Sequence, residues 1–226
     1  MSAHRPLARR PHAVIFDMDG LLLDTEPLAA RAWDEAAAAL GVAFDPALAL
    51  AMVGRNFADC SRLLRNRYDS AYPVDAVLGR WHATYDMIVE REGLALKPGV
   101  HELLDWLDAA RVPRAVATST RGERARAKLE QAGVWARFGA LVGGDEVTHG
   151  KPAPDIYLEA ARRLSVAPPD CIALEDSEPG VRAALAAGMT VFMVPDLVQP
   201  SAELAALGPR VVASLHDVRA HLVPLS

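Results

Sequence analysis

Cysteine is scarce: Cys60 and Cys171 are the only two in 226 residues. They stand far apart, in segments of different character. No disulfide framework is expected, and a reducing cytoplasm is the predicted location. A basic excess is missing too. Lys and Arg number 24 against 29 Asp and Glu, a formal charge of −5, which speaks against a nucleic-acid partner. No apolar run approaches the roughly 18 residues of a membrane span, so no membrane partner is expected. Met1 to Pro11 carries Arg5, Arg9 and Arg10 without an apolar core, and reads as a loose basic tail rather than a secretion signal. The seven histidines show no metal-ligand spacing, and no internal repeat is visible.

What remains is ordinary globular material, 51% hydrophobic and 23% charged, enough for a core without staples. At about 150 residues per domain the length suggests roughly one and a half domains, either one with a smaller insertion or two in tandem. His12-Ala-Val-Ile-Phe16 is a short apolar strand that empties into Asp17-Met-Asp-Gly20. Helical segments follow at 28–40, 56–68 and 74–92, with Gly41, Pro73 and Gly79 as punctuation and no convincing strand before 96. From Pro98-Gly99 onward strands alternate with helices. Strands are expected at 114–118, 140–142, 171–174, 190–194 and 211–213, and helices at 99–110, 121–132, 154–164 and 178–187. That alternation predicts an α/β fold with a parallel sheet and helices on both faces. The expected division is a core of 1–26 and 97–226, interrupted by an all-helical unit at 27–96.

Ligands of open parallel sheets bind beyond the carboxyl ends of the strands. Those ends carry Asp17 and Asp19, then Thr118 with Ser119, then Gly150-Lys151-Pro152, then Glu175-Asp176-Ser177. Several carboxylates together repel one another and need a cation. Oxygen ligands suit Mg²⁺, which takes a few carboxylates, waters and substrate phosphate. A threonine hydroxyl, backbone N–H groups and a lysine can hold phosphate oxygens. Phosphate monoester hydrolysis needs accelerations up to about 10²¹, close to 30 kcal/mol at about 1.4 kcal/mol per decade. That demands a nucleophile, an acid, a cation and a charge clamp acting together.

Phe16-Asp-Met-Asp-Gly-Leu-Leu-Leu-Asp-Thr-Glu-Pro27 resembles the first motif of the haloacid-dehalogenase superfamily. Ala117-Thr-Ser119, Lys151 in Gly150-Lys-Pro-Ala-Pro-Asp155, and Leu174-Glu-Asp-Ser-Glu-Pro-Gly180 resemble the second, third and fourth, in the family's order. The chain is most similar to the β-phosphoglucomutase-like subgroup, whose Rossmann-like core carries a helical cap after the first motif.

The resemblance implies that Asp17 is the nucleophile that forms an aspartyl phosphate, and that Asp19 is the acid and base. It also implies that Thr118 and the Ser119 N–H hold the phosphoryl oxygens, and that Lys151 bridges phosphate and Asp17. Asp17, the Asp19 carbonyl, Asp176 and Glu175, directly or through water, would hold Mg²⁺. As general acid Asp19 is expected to have a raised pKa, supplied by anionic neighbours. Arg55, in Met52-Val-Gly-Arg-Asn56, is a candidate for touching substrate; Trp81 and Tyr85 are weaker ones. Asp24 and Glu26 are assigned to the hinge. Arg62, Arg65 and Arg67 are expected on a solvated face, and Cys171 as a buried small hydrophobe. Asp176-Ser177 also reads as a helix cap, with Pro179 in the first turn.

The implied activity is a Mg²⁺-dependent phosphatase acting on a small phosphorylated metabolite, with a β-phosphoglucomutase-like sugar phosphomutase as the alternative. Pro27-Leu-Ala-Ala-Arg31 lacks the histidine of the mutase pattern, and Tyr85 falls where an ungapped match puts the mutases' cap lysine. Both departures favour hydrolysis. Dehalogenation is disfavoured because Asp19 is kept. A non-catalytic module on this fold is disfavoured by the complete set of Asp17, Asp19, Thr118, Lys151 and Asp176. A monomer is the default expectation.

Overall fold

The structure is a computed structural model that describes residues 10–223, so most of the expected basic tail lies outside the described residues. Among those residues no helix is long and apolar enough to cross a membrane.

The chain enters through strand β1 (Ala13–Phe16), then builds helices α1 (Glu26–Leu40), α2 (Pro46–Met52), α3 (Phe57–Arg67) and α4 (Val74–Glu92). Helix α5 (Val100–Ala109) leads into β2 (Arg114–Ala117), α6 (Gly122–Gln131), β3 (Ala140–Val142) and α7 (Asp155–Arg163). Strand β4 (Cys171–Glu175), α8 (Glu178–Ala186), β5 (Thr190–Met193), α9 (Ala202–Ala206), β6 (Arg210–Val211) and α10 (Leu215–Leu222) complete it. The strands form one parallel sheet in the order β3-β2-β1-β4-β5-β6. This is the expected α/β architecture, a doubly wound Rossmann-like sheet. The strand order reverses between β1 and β4, the point where such sheets bind ligands.

Side-chain alternation along the strands divides the core in two. Val14 and Phe16 of β1 join Val116, Ile172, Leu174 and Phe192 against Leu103, Leu104, Leu107, Ala125, Leu129, Val218 and Leu222 of α5, α6 and α10. Ala13 and Ile15 face the other way, with Ala115, Ala117, Ala173 and Val191, against Ile156, Tyr157, Ala160, Ala161, Val181, Ala183 and Ala184 of α7 and α8. Alanine dominates the second layer, and small side chains let those helices seat close to the sheet.

Helices α1 to α4 carry their own apolar clusters. Trp33, Leu48, Met52, Leu64, Val74, Val77 and Leu78 form one, with the Trp33 ring stacked on Phe44 at 4.6 Å and Trp81 at 4.9 Å. Ala32, Tyr85, Ile88 and Val89 form another. The chain leaves and re-enters the sheet layer through paired segments. Leu23 bridges Leu96, the Asp24 N–H donates to the Ala95 carbonyl, and the Lys97 N–H donates to the Leu22 carbonyl.

Several expectations need adjustment. Gly79 does not break a helix; α4 runs through it. Helix α2 went unforeseen although Asp45 caps it, its carboxylate accepting from the Ala47 N–H at 3.0 Å. Helices α9 and α10 were also unforeseen. Arg62, Arg65 and Arg67 are exposed as expected, each paired with an aspartate at Asp59, Asp75 and Asp45.

Candidate active site

Asp17 follows β1 directly, and its N–H still donates to the Leu174 carbonyl of β4 at 2.9 Å. The aspartate is thereby fixed at the carboxyl end of the sheet, beside Glu175 and Asp176 at the end of β4. Asp17, Glu175 and Asp176 are buried, and each offers a carboxylate oxygen within 4.8 Å of the others'. Gly20 turns the chain with φ +83°, and a Cβ there would overlap the Asp176 carboxylate. Only glycine meets both demands, backbone and space.

Lys151 lies in the loop before α7 and is 1% exposed. Its ammonium bonds the Asp17 carboxylate and donates to Glu175 Oε1 at 2.5 Å. Tyr157 of α7 donates its hydroxyl to the same Oε1 at 2.7 Å. Glu175 Oε2 accepts from the Asp176 N–H at 3.1 Å, the Ser177 N–H at 3.3 Å and the Ser177 hydroxyl at 3.0 Å. The Glu175 carboxylate is thus held on both oxygens. Ser177 also caps α8, accepting from the Gly180 N–H at 3.3 Å, with Pro179 in the first turn.

Three carboxylates against one ammonium leave this buried site net negative. Burial, with the opposing pull of Lys151 and the push of Glu175, brings the Asp17 carboxyl up to about 8. Burial and the charges of Asp17 and Glu175 raise Asp176 well above the usual carboxylate range. A hard divalent cation would relieve both, and an all-oxygen donor set of this kind fits one.

Asp19 behaves differently from its expectation. Its carboxylate is not part of that cluster: Oδ2 accepts from the Thr120 hydroxyl at 2.7 Å and Oδ1 from Lys128 Nζ at 2.7 Å. Burial pushes its pKa up, but the Lys128 charge and the hydrogen bonds from Lys128 and Thr120 outweigh it, so the pKa is lowered. The expected rise fails because the nearest strong charge is a lysine, not another anion.

Thr118 is buried after β2; its N–H donates to the Val142 carbonyl at 3.0 Å, and its hydroxyl accepts from the Thr120 N–H at 3.2 Å. The Ser119 hydroxyl donates to the Gly54 carbonyl at 2.9 Å. That contact seats the 53–56 loop of the helical unit on the strand ends. A Cβ on Gly54 would collide with the Ser177 side chain, and one on Gly150 with Asn56. Arg55 lies on this seated loop, and its Nε donates to the Ala51 carbonyl at 2.9 Å within its own unit. Further contacts run along α4 and α6. Arg124 holds both oxygens of Asp86, and Gln131 Nε2 donates to the Val89 carbonyl at 3.2 Å.

Sequence reasoning passed over Lys128 and Tyr157. Both sit on helix faces that otherwise read as core: Lys128 between Ala125 and Leu129, and Tyr157 between Ile156 and Ala160. A polar tip on an apolar stripe was the available signal. Cys171 is buried, as expected. Asp24 pairs with Lys97 at 3.3 Å beside the paired crossing segments.

The doubly wound sheet, with buried carboxylates and a lysine at its switch point, has a polar site where α/β enzymes of this architecture bind their ligands. The chain belongs to the haloacid dehalogenase-like hydrolases, whose family model matches residues 11–188. It is 35% identical over 177 residues to a phosphorylated carbohydrates phosphatase of Thermotoga maritima, covering 78% of this chain and 82% of that protein. It is 31% identical over 220 residues to the bifunctional riboflavin kinase/FMN phosphatase of Arabidopsis thaliana, covering 97% of this chain but 57% of that longer protein. The structure of CbbY from Rhodobacter sphaeroides in complex with phosphate superposes with a TM-score of 0.77 at 30% identity, covering 94% of this chain and 99% of that one.

Proposed function

We propose that the protein hydrolyses the phosphate monoester of a small metabolite, a sugar phosphate or a similar compound, through a phosphoryl group carried on Asp17. The observation that carries this reading is the Asp17–Lys151–Glu175 arrangement: a buried carboxylate oriented by a buried ammonium, at the switch point of the sheet. The phosphatase names of several relatives support the same reaction class.

In the first step a carboxylate oxygen of Asp17 attacks phosphorus while the ester oxygen leaves with a proton from Asp19. Asp19 is charged in the resting site and takes that proton from solvent, favoured by the incoming phosphate dianion beside it; a cation held by the carboxylate cluster would keep Asp17 ionised for the attack. In the second step Asp19 takes a proton from water, the water oxygen attacks phosphorus, and the bond to Asp17 breaks to release inorganic phosphate. Lys151 keeps Asp17 oriented and offsets charge on the transferring group. Thr118 and the Ser119 N–H are assigned to the phosphoryl oxygens. Glu175 positions Lys151 and, with Asp17, Asp176 and the Asp19 carbonyl, is assigned to Mg²⁺. Bound there, the cation would screen carboxylate from phosphate and stabilise the charge of the transition state. Residues 27–96 are assigned as a cap that shields the site from bulk water, with Arg55 on its seated loop as a substrate contact.

Wild-type protein should release phosphate from p-nitrophenyl phosphate and from a panel of sugar phosphates with added Mg²⁺, and EDTA should stop it. Asp17→Asn, nearly isosteric but a poor nucleophile, should lose turnover by orders of magnitude with an unchanged circular-dichroism spectrum. No turnover across the panel, or near-normal activity in Asp17→Asn, would overturn the proposal.

A further inference from the structure

Among the described residues Lys128 is the cation paired with Asp19, and it comes from a helix outside the four motifs. It projects from the second turn of α6, is 14% exposed at the side chain, and places Nζ 2.7 Å from Asp19 Oδ1. Thr120 occupies the other oxygen at the same distance. The two donors together fix the plane of the carboxylate, since one alone would leave it free to swing about the bond to the other. The Tyr85 ring of α4 lies over the ammonium, 4.8 Å from Nζ to the ring centroid. A cation against a ring face is attracted by its quadrupole, so α4 holds the lysine from above. Arg124 and Gln131, on the same side of α6, join α4 one turn to either side through Asp86 and Val89.

We propose that Lys128 is a positioning residue: it fixes the Asp19 carboxylate for proton exchange with the leaving group, and through Tyr85 it makes that position depend on the seating of the helical unit. This rests on the hydrolytic role given to Asp19 above. Lys128 contacts neither Asp17 nor the carboxylate cluster in any bond the structure draws, so its effect reaches the reaction through Asp19.

The test is leaving-group dependence. p-Nitrophenolate departs without needing a proton, whereas an alkoxide does not, so misplacing the acid penalises an alkyl phosphate selectively. In Lys128→Met, kcat/KM for an alkyl phosphate such as glycerol phosphate should fall roughly tenfold to a hundredfold, and for p-nitrophenyl phosphate by less than about threefold. Lys128→Arg, which keeps charge and donors, should recover part of the alkyl loss. Asp19→Asn should show the same selectivity, and adding Lys128→Met to it should add none. If Lys128→Met melts below the assay temperature, Lys128→Gln carries the same comparison. Equal losses on both substrates, or no loss on either, overturn the positioning role while leaving hydrolysis intact. Failure of the wild type to turn over either substrate overturns hydrolysis, and this inference with it.

Discussion

Replacing Gly180 by alanine tests how firmly the Glu175 carboxylate is held. A Cβ at Gly180 would overlap both oxygens and the carboxyl carbon of Glu175. The carboxylate cannot simply rotate aside, because Lys151, Tyr157, Ser177 and two backbone N–H groups hold it from the remaining directions. Relief therefore means breaking one or two hydrogen bonds to a charged group, at about 1.5–3 kcal/mol each. Alanine returns about 1 kcal/mol at most through helix propensity. The net loss is about 0.5 kcal/mol at the least, if one bond breaks, and up to about 5 kcal/mol if two do, and at about 2–4 °C per kcal/mol for a chain this size, Tm should fall by about 1–20 °C. Gly79→Ala is the matched control. That glycine is exposed inside α4 with nothing within 4 Å of its added Cβ, so alanine should raise Tm by about 2–4 °C. Calorimetry or thermal circular dichroism on both variants decides the matter. A Gly180→Ala protein that melts at or above wild type, with normal activity, refutes a pinned Glu175.

Lys151→Met removes the ammonium shared by Asp17 and Glu175 and leaves buried carboxylates unpaired; a loss of about 3–5 kcal/mol and of all turnover is expected, and unchanged denaturant midpoints would contradict it. The carboxylate cluster also sets a pH dependence. Asp17 at about 8 and the strongly raised Asp176 bind protons more tightly in the fold than in the unfolded chain. The Asp17 contribution is full below about pH 4 and is lost as pH rises through about 8, and that of Asp176 is lost in the same direction. In EDTA, Tm should therefore fall between pH 6 and pH 8.5, and added Mg²⁺ should restore more at the higher pH, where the carboxylates are free to bind it. A flat or rising Tm in EDTA over that interval would contradict the assignment.

The sheet was legible because each strand is a short apolar run stopped by a polar cluster, and β1, β2, β3 and β4 fall within a residue or two of their expected bounds. Helices α2, α9 and α10 were harder. They span only five to eight residues, too few for helical periodicity to emerge, although Asp45, Ser201 and Ser214 cap them. At the site, sequence order places Asp17, Thr118, Lys151, Glu175 and Asp176 at strand ends, and the structure brings Asp17, Lys151, Glu175 and Asp176 together. Which carboxylate pairs with which cation is a matter of side-chain direction across more than a hundred positions of sequence, as for Asp19 with Lys128. No local pattern encodes that pairing, and this is why the pKa of Asp19 was expected to move the wrong way.

The position of β1 in the sheet has a consequence for how the chain is made. Of the six strands of this sheet it is synthesised first, yet both its neighbours come late: β2 after the whole helical unit, and β4 about 160 residues downstream. Until then Ala13-Val-Ile-Phe16 offers two open edges and two apolar faces with nothing to pair them. During translation the helices of 26–92 have the means to fold first on their local contacts, while the strand that leads into Asp17 gains its second neighbour only once β4 is made. The vulnerable moment for this protein is its birth on the ribosome, where the segment destined for the middle of the sheet waits longest without company.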